Sequence, residues 1–401
     1  MEFHRVKKIL VIKLRHIGDV LLTVPVLRAL REHFLDAHIS VLVNSGTEQV
    51  LAGVPCVDEI ILFDRNIKNL SLMKRYAREI SFLKSIRKKS FDMTIDLTGG
   101  DRAAIVSLTT GAEYRLGWKP KTGFVGKKHV YTHFCEPGGK KHMVLQNLDI
   151  INQFGIKTEN LSVDFYIPEA ARTFIKRIFE ENNIPINPPL SKVGQRGVKV
   201  MHVHPTSRWL FKCWRDEYMA EVITWLLEQD IKVLVTSSPD KKELDKARRI
   251  LSLVSELTRS RIPTLARGRI IDLCGKTSIK QLGAISEASH LFLGVDSAPM
   301  HIAAAVGTPV IALFGPSGAF HWGPWDNAES IMQEGGSQKT PYPKRNGIQS
   351  CGIHTVIQRN WDCIPCGKDG CEKSKISKCL EDIKPDEVKE IIADRLKRFE
   401  K

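Results

Sequence analysis

The chain holds no run of 18 consecutive apolar residues, which excludes a hydrophobic membrane-spanning helix. It has no Gly-rich, Pro-rich or other low-complexity tract, so a fibrous or extensively disordered protein is also excluded. No G-x-G-x-x-G follows the first apolar run, which argues against a dinucleotide-dependent dehydrogenase. Gly275-Lys276-Thr277 looks like the end of a Walker A loop, but Ile270 stands where that loop needs its first glycine. No D-x-D triplet occurs, so a diphosphate held through a divalent cation lacks its evident ligands. Cations and helix N-termini are the substitute, because the free amides at a helix start attract anions.

What is present describes an ordinary globular protein. Hydrophobic residues make up 42% and charged residues 26%, close to globular averages, and 401 residues exceed what one core usually organises. Two α/β domains are therefore expected. Lys and Arg number 60 against 45 Asp and Glu, a net +15 that implies an anionic partner: phosphate-rich lipid, nucleotide or nucleic acid. The first apolar run, ILVIKL, is too short for a signal sequence and contains Lys13, so it reads as a strand and the protein is expected to stay in the cytoplasm. The densest basic stretch spans residues 68–90. It sets Leu70, Met73, Tyr76, Ile80, Leu83 and Ile86 on one side at helical spacing, with Lys74, Arg75, Arg78, Lys84, Arg87 and Lys88 elsewhere. Such a helix either packs its apolar side on the core or rests on anionic lipid headgroups.

Strand and helix patterns alternate along the chain, as a doubly wound parallel sheet requires. ILVIKL, a helix from about Asp19 to Phe34, HISVLVN, VDEIILF, the basic helix, FDMTIDLTG and a helix opening at Asp101 form the first series. Residues 182–198 break the rhythm with three prolines and two glycines, and read as a linker. The alternation restarts with VKVMHVHP and runs through IKVLVTS, IIDLCG, HLFLGVD and PVIALFG, with helices between them. The expected organisation is therefore a first Rossmann-like domain over 1–181, the linker, and a second over 199–384 with a Cys-rich segment at 351–379. The last helix, 385–401, is expected to pack back on the first domain. Ligands in such sheets lie at the carboxyl ends of the strands, so a cleft between lobes is where chemistry is sought.

Three segments stand at such strand ends: KLRHIGDVLLTVP (13–25), HPTSRWLFKCW (204–214) and GVDSAPMHIAAAVGTPVIALFGPSG (294–318). In this order and at these separations they resemble the ADP-heptose:lipopolysaccharide heptosyltransferase family. KLRHIGD and TSRWLFKCW are similar to the branch that adds the third, side-branch heptose. The resemblance covers nearly the whole chain and weakens between about 120 and 195 and after 320. It implies the two-lobed glycosyltransferase B fold and an inverting, metal-independent transfer of heptose from an ADP-sugar to the lipopolysaccharide inner core. It also implies peripheral association with the cytoplasmic face of the inner membrane and no required cofactor.

Read from the residues, Asp19 follows Gly18, which lets backbone approach a substrate, and stands at a helix start where Asp is also a good N-cap. The resemblance implies that Asp19 is the general base, although a helix N-terminus favours the carboxylate and so weakens it as a base. Arg15 and His16 are expected either to hold acceptor phosphate or carboxylate groups or to be solvated. Thr206, Ser207, Arg208 and Lys212 supply hydroxyls and cations suited to a departing diphosphate. By resemblance Lys212 contacts the donor phosphates, Thr206 and Ser207 line the same pocket, and Asp296, Ser297 and Ala298 meet donor sugar and phosphates. His301 is either a core histidine or a donor contact, and Asp240 either a helix cap or an acceptor of ribose hydroxyls. Trp209 and Trp214 read as packing residues rather than adenine platforms.

Of nine cysteines, Cys363, Cys366, Cys371 and Cys379 form C-x2-C-x4-C-x7-C, enough thiolates for a structural zinc or an iron–sulfur cluster; reduced thiols or adventitious disulfides are the alternative. Two other classes remain open on the sequence: a nucleotide-sugar epimerase of the same fold, which needs no glycan acceptor, and a basic nucleic-acid-binding protein. The second lacks a binding motif and interleaved aromatics.

Overall fold

The computed structural model describes residues 3–120, 122–136, 139–185, 198–261, 269–328 and 341–398. It divides into two units, Met1–Tyr166 and the described residues from Ile167 onward. The 182–198 linker falls mostly outside the described residues.

The first unit runs β1 (Lys8–Lys13), α1 (Ile17–Leu21), α2 (Val24–His33), β2 (His38–Asn44), β3 (Glu59–Phe63), α3 (Leu72–Lys88), β4 (Met93–Asp96) and α4 (Asp101–Thr110). β5 (Tyr114–Trp118), β6 (His133–Cys135) and α5 (Met143–Asn152) complete it. The six strands are parallel in the order β3-β2-β1-β4-β5-β6. β1 is buried from Ile9 to Lys13, which explains its unbroken apolar run: a central parallel strand has both faces covered. The helix expected over 19–34 is two helices. Pro25 has no N–H to donate to Leu21, so the chain stops and restarts at Thr23, whose Oγ1 donates to the Val20 carbonyl at 2.7 Å.

The second unit begins with α6 (Glu169–Glu181), assigned from sequence to the first domain. Its apolar face buries Ile175, Ile178 and Phe179, and the Arg172 guanidinium holds Glu287 at 3.1 and 2.9 Å. Then come β7 (Val200–His204), α7 (Asp216–Glu228), β8 (Lys232–Val235), α8 (Lys241–Arg261), β9 (Ile270–Asp272) and α9 (Ile279–Glu287), which carries Glu287. β10 (Leu291–Val295), α10 (Ala298–Ala305), β11 (Val310–Leu313) and α11 (Ala319–Trp322) follow. The chain ends with β12 (Gln349–Cys351), β13 (His354–Ile357), α12 (Lys378–Glu381) and α13 (Pro385–Arg398). The sheet order is β12-β13-β11-β10-β7-β8-β9, parallel except for the β12 edge.

α13, expected on the first domain, packs within the second unit on α7. Val388, Ile392 and Leu396 join one cluster with Met219 and Ile223, and Lys389 pairs with Glu221 at 2.6 Å. Trp214 is a packing residue as expected, its indole N–H donating to the Ile383 carbonyl at 3.1 Å. Trp209 is not in the core: it is 45% exposed, with Arg208 over its ring.

Three histidines are buried in this second sheet. On β7, His202 and His204 share the Thr236 hydroxyl at 2.7 and 2.8 Å, and His202 also meets Ser286 Oγ at 2.9 Å. Burial holds His202 well below its ordinary range, His204 down to about 3 and His354 on β13 to about 4. The folded unit therefore keeps them neutral while the unfolded chain takes up protons below about 6.5. Their contribution is complete above that pH and is withdrawn as pH falls from about 6.5 toward 4, at about 1.4 kcal/mol per histidine per pH unit. Melting followed by circular dichroism should show this slope, and His204→Gln should flatten it. A flat profile over the same range would contradict the assignment.

Candidate functional site

In both sheets the strand order reverses beside the first strand, between β1 and β4 and between β7 and β10. Crevices of open α/β sheets form at such switch points, outside the carboxyl ends of the strands. The three segments follow β1, β7 and β10, so the topology places all of them at these points.

In the first unit, the turn after β1 carries exposed Arg15 and His16, then Gly18, buried in α1, and half-buried Asp19. The Asp19 carboxylate accepts the backbone N–H of His16 at 3.3 Å, so His16 is the N-cap and Asp19 is not the cap expected from sequence but its capping-box partner at the third helical position. The Arg15 backbone is fixed by Asn44, whose side-chain amide donates to its carbonyl at 3.0 Å, while the Arg15 guanidinium donates to Thr98 O at 3.2 Å. Thr98 Oγ1 receives the Leu14 N–H at 2.8 Å, tying this turn to the end of β4.

Sequence reasoning missed a buried polar group behind that turn. Lys13 ends β1 with its side chain inside the protein, donating to Leu97 O at 2.9 Å and Asn147 Oδ1 at 3.0 Å. Burial pushes its pKa down to about 8, and the carboxylates of Asp19 and Asp96 partly offset this. Asp96 is itself fully buried and receives Tyr131 OH at 2.5 Å and the Thr98 N–H at 2.7 Å; desolvation raises its pKa despite them. The available signal was a lysine ending an otherwise apolar strand and an aspartate ending FDMTID. Ionisable groups at buried strand ends are costly to fold and mark functional sites.

In the second unit, segments 204–214 and 294–318 meet. Lys212 Nζ donates to Asp296 Oδ2 at 2.6 Å, a pair whose carboxylate is almost fully buried. Asp296 leads into α10, with Ser297 as N-cap and Ala298 as its first residue. Ser297 Oγ is out of solvent contact and has no hydrogen-bond partner among the described residues, at the helix end that carries free amides. His301 lies buried within α10.

Thr206 is fully buried and its hydroxyl donates to Glu243 Oε2 at 2.9 Å; burial raises the pKa of Glu243. Ser207 is buried, its N–H directed to Cys213 Sγ at 3.2 Å, and Arg208 is exposed. Asp240 is exposed and caps α8, its Oδ1 accepting the Lys242 N–H at 3.0 Å, so capping describes it and Glu243 is the carboxylate that joins Thr206. Glu243 was hidden in the sequence because D-x-x-E before a helix reads as a capping box.

The four C-terminal cysteines differ in exposure, and Cys366 and Cys371 lie near enough to Cys379 to act on its thiol. Cys363 is exposed, whereas Cys379 is buried in α12, where desolvation first, then Cys371 and Cys366, push its thiol up to about 11. All four are free, and among the described residues no three His, Cys, Asp or Glu side chains are grouped to hold a metal ion.

Two doubly wound parallel sheets, each with polar groups gathered at its switch point, are the architecture of the glycosyltransferase B fold. The chain belongs to glycosyltransferase family 9 (heptosyltransferase), whose model matches residues 80–350. It is 30% identical to lipopolysaccharide heptosyltransferase 3 of Escherichia coli K12, over 82% of this chain and 88% of that protein. It is 24% identical to the lipopolysaccharide core heptosyltransferase OpsX of Haemophilus influenzae, over 88% and 94%. The fold is shared with E. coli ADP-heptose lipopolysaccharide heptosyltransferase II, at a TM-score of 0.69 and 19% identity over 98% of this chain and 100% of that one. E. coli heptosyltransferase WaaC with ADP aligns at 0.65 and 18% identity over 97% and 99%.

Proposed function

We infer that the chain moves heptose from ADP-heptose onto the lipopolysaccharide inner core by an inverting single displacement. The observation that carries this reading is the Lys212–Asp296 pair at the head of α10. A departing ADP gains negative charge, and an ammonium beside an unpaired hydroxyl and free helix amides can hold that charge without a divalent cation. Relatives named heptosyltransferase 3, at 30% and 29% identity, favour the side-branch heptose as product.

In this mechanism Asp19 takes the proton from an acceptor heptose hydroxyl as that oxygen bonds to the anomeric carbon, and the bond from that carbon to ADP breaks. Late proton transfer suits a carboxylate that also belongs to a capping box, because the sugar has by then gained oxocarbenium character. Arg15 and His16 bind acceptor anions, with the Gly18 backbone close by. Lys212, Ser297 and the Ala298 amide receive the diphosphate, with Thr206, Ser207 and Arg208 lining the same side. Asp296 orients Lys212 and meets the donor sugar, and His301 stands on the same helix. The acceptor is a membrane-borne glycolipid, and none of the described helices is long and apolar enough to cross a membrane; the protein works at the cytoplasmic face of the inner membrane as a peripheral enzyme.

The test supplies ADP-heptose and core oligosaccharide from a strain lacking this protein. Mass spectrometry should show one added heptose, with ADP appearing only when acceptor is present. ADP release that ignores the acceptor would instead indicate an epimerase or hydrolase.

A further inference from the structure

The helix α3 does not present the face that its sequence pattern suggests. Of the apolar residues at helical spacing, Ile86 is fully buried and Leu83 packs partly against the core with Phe82. Met73 is 83% exposed, Tyr76 61% and Ile80 52%, and Leu72 adds a fourth exposed apolar side chain. The inward face is instead Arg75, Glu79, Phe82, Leu83 and Ile86. One outward line reads Met73, Ala77, Ile80, Lys84 and Lys88, apolar over its first half and cationic over its second. On the neighbouring α4, Ile105 and Leu108 also stand exposed.

Charge on this helix is one-sided. α3 carries six cations, Lys74, Arg75, Arg78, Lys84, Arg87 and Lys88, and its one acid, Glu79, is already shared between Arg75 at 3.5 Å and Arg102 at 3.2 Å. Lys74, Arg78, Lys84 and Lys88 have no ion pair among the described residues. Along the outward line an open depression of about 370 Å³ is lined by Ala77, Ile80, Ser81, Lys84, Ser85 and Lys88. Two ammonium groups and the Ser81 hydroxyl around one depression suit a phosphate diester, the Ser85 hydroxyl being spent on the Phe82 carbonyl at 2.6 Å, and the apolar residues a turn away suit acyl chains just below it.

We propose that the outward face of α3 is a docking surface for an anionic phospholipid bilayer. Met73, Tyr76 and Ile80 enter the boundary between headgroups and acyl chains, and Lys84 and Lys88 hold lipid phosphates. Charge complementarity selects this occupant: a protein partner would need an acidic surface with a matching apolar ridge, whereas a bilayer supplies both layers in the observed order. Leaving four large apolar side chains on one solvent-facing helix is otherwise a cost in solubility with no return. The inference rests on the membrane-borne acceptor of the proposed function and names the surface that reaches it.

The experiment is sedimentation of the full-length protein with phosphatidylcholine vesicles, with and without phosphatidylglycerol. Binding should require the anionic lipid and weaken with salt. Each neutralised cation should lower partition about five-fold, so Lys84→Gln with Lys88→Gln should lower it on the order of 25-fold. Ile80→Ser with Met73→Ser should weaken binding at high salt as well, where charge is screened. Turnover on a soluble core oligosaccharide should be unchanged in all these variants, while turnover on acceptor embedded in vesicles falls. Equal binding to neutral and anionic vesicles, or full binding by the double glutamine variant, overturns the proposal. If transfer itself fails in the earlier assay while vesicle binding behaves as described, the docking surface stands and the transfer reading falls.

Discussion

Asp19→Asn should lower heptose transfer at least about 1,000-fold, within the range that a positioned general base contributes, while leaving ADP affinity intact. Asparagine is chosen because it separates the two roles that the structure shows at this position. From the third position of α1 the carboxylate accepts the His16 N–H, and the Asn side-chain oxygen can accept the same N–H, so local structure is retained while the proton acceptor is lost. Asp19 also offsets the buried charge of Lys13, so some stability should go with it; a loss of ~1 kcal/mol would appear as a fall of about 2–4 °C in melting temperature. Isothermal titration with ADP reports whether the donor side remains intact. A variant that transfers heptose at the original rate would remove Asp19 from the chemistry and leave it only as a capping-box residue.

The second large effect is expected at Lys212. Hydrogen bonds to charged groups contribute roughly 1.5–3 kcal/mol, so Lys212→Met should weaken ADP binding on the order of 10- to 100-fold and lower turnover with it. The variant also strands Asp296, whose side chain is 7% exposed, and an unpaired buried carboxylate costs stability on its own account. Lys212→Met with Asp296→Asn resolves the ambiguity, because it removes both charges. If Lys212 binds phosphate, the double variant should regain melting temperature without regaining ADP affinity. Recovery of both together would reduce the pair to a structural salt bridge.

How much of this was legible before the coordinates depends on the range of the interaction. The strands HISVLVN, IKVLVTS, HLFLGVD and PVIALFG lie where their apolar runs place them, because a buried parallel strand must be apolar on both faces. The break at Thr23 was equally local, a consequence of Pro25 that the sequence reading passed over. The assignment of α6 and α13 was not local. An amphipathic helix shows that it has a partner without showing which one, and for α6 the partner lies in α9, where Arg172 meets Glu287 115 residues away. The apolar spacing in α3 was visible, yet helical periodicity does not report whether anything covers the face.

The α/β class, the doubling of the sheet and the three polar segments at strand ends could be read from the linear chain, since each rests on short-range patterns of residues. Folding in three dimensions was needed to bring Lys212 to Asp296 across 84 residues, to turn Glu243 inward to Thr206 rather than to a capping role, and to bury Lys13 beside the turn that carries Asp19. Local sequence limits what a backbone segment can become, whereas the partner of a side chain is settled by which distant strands lie next to one another in the sheet.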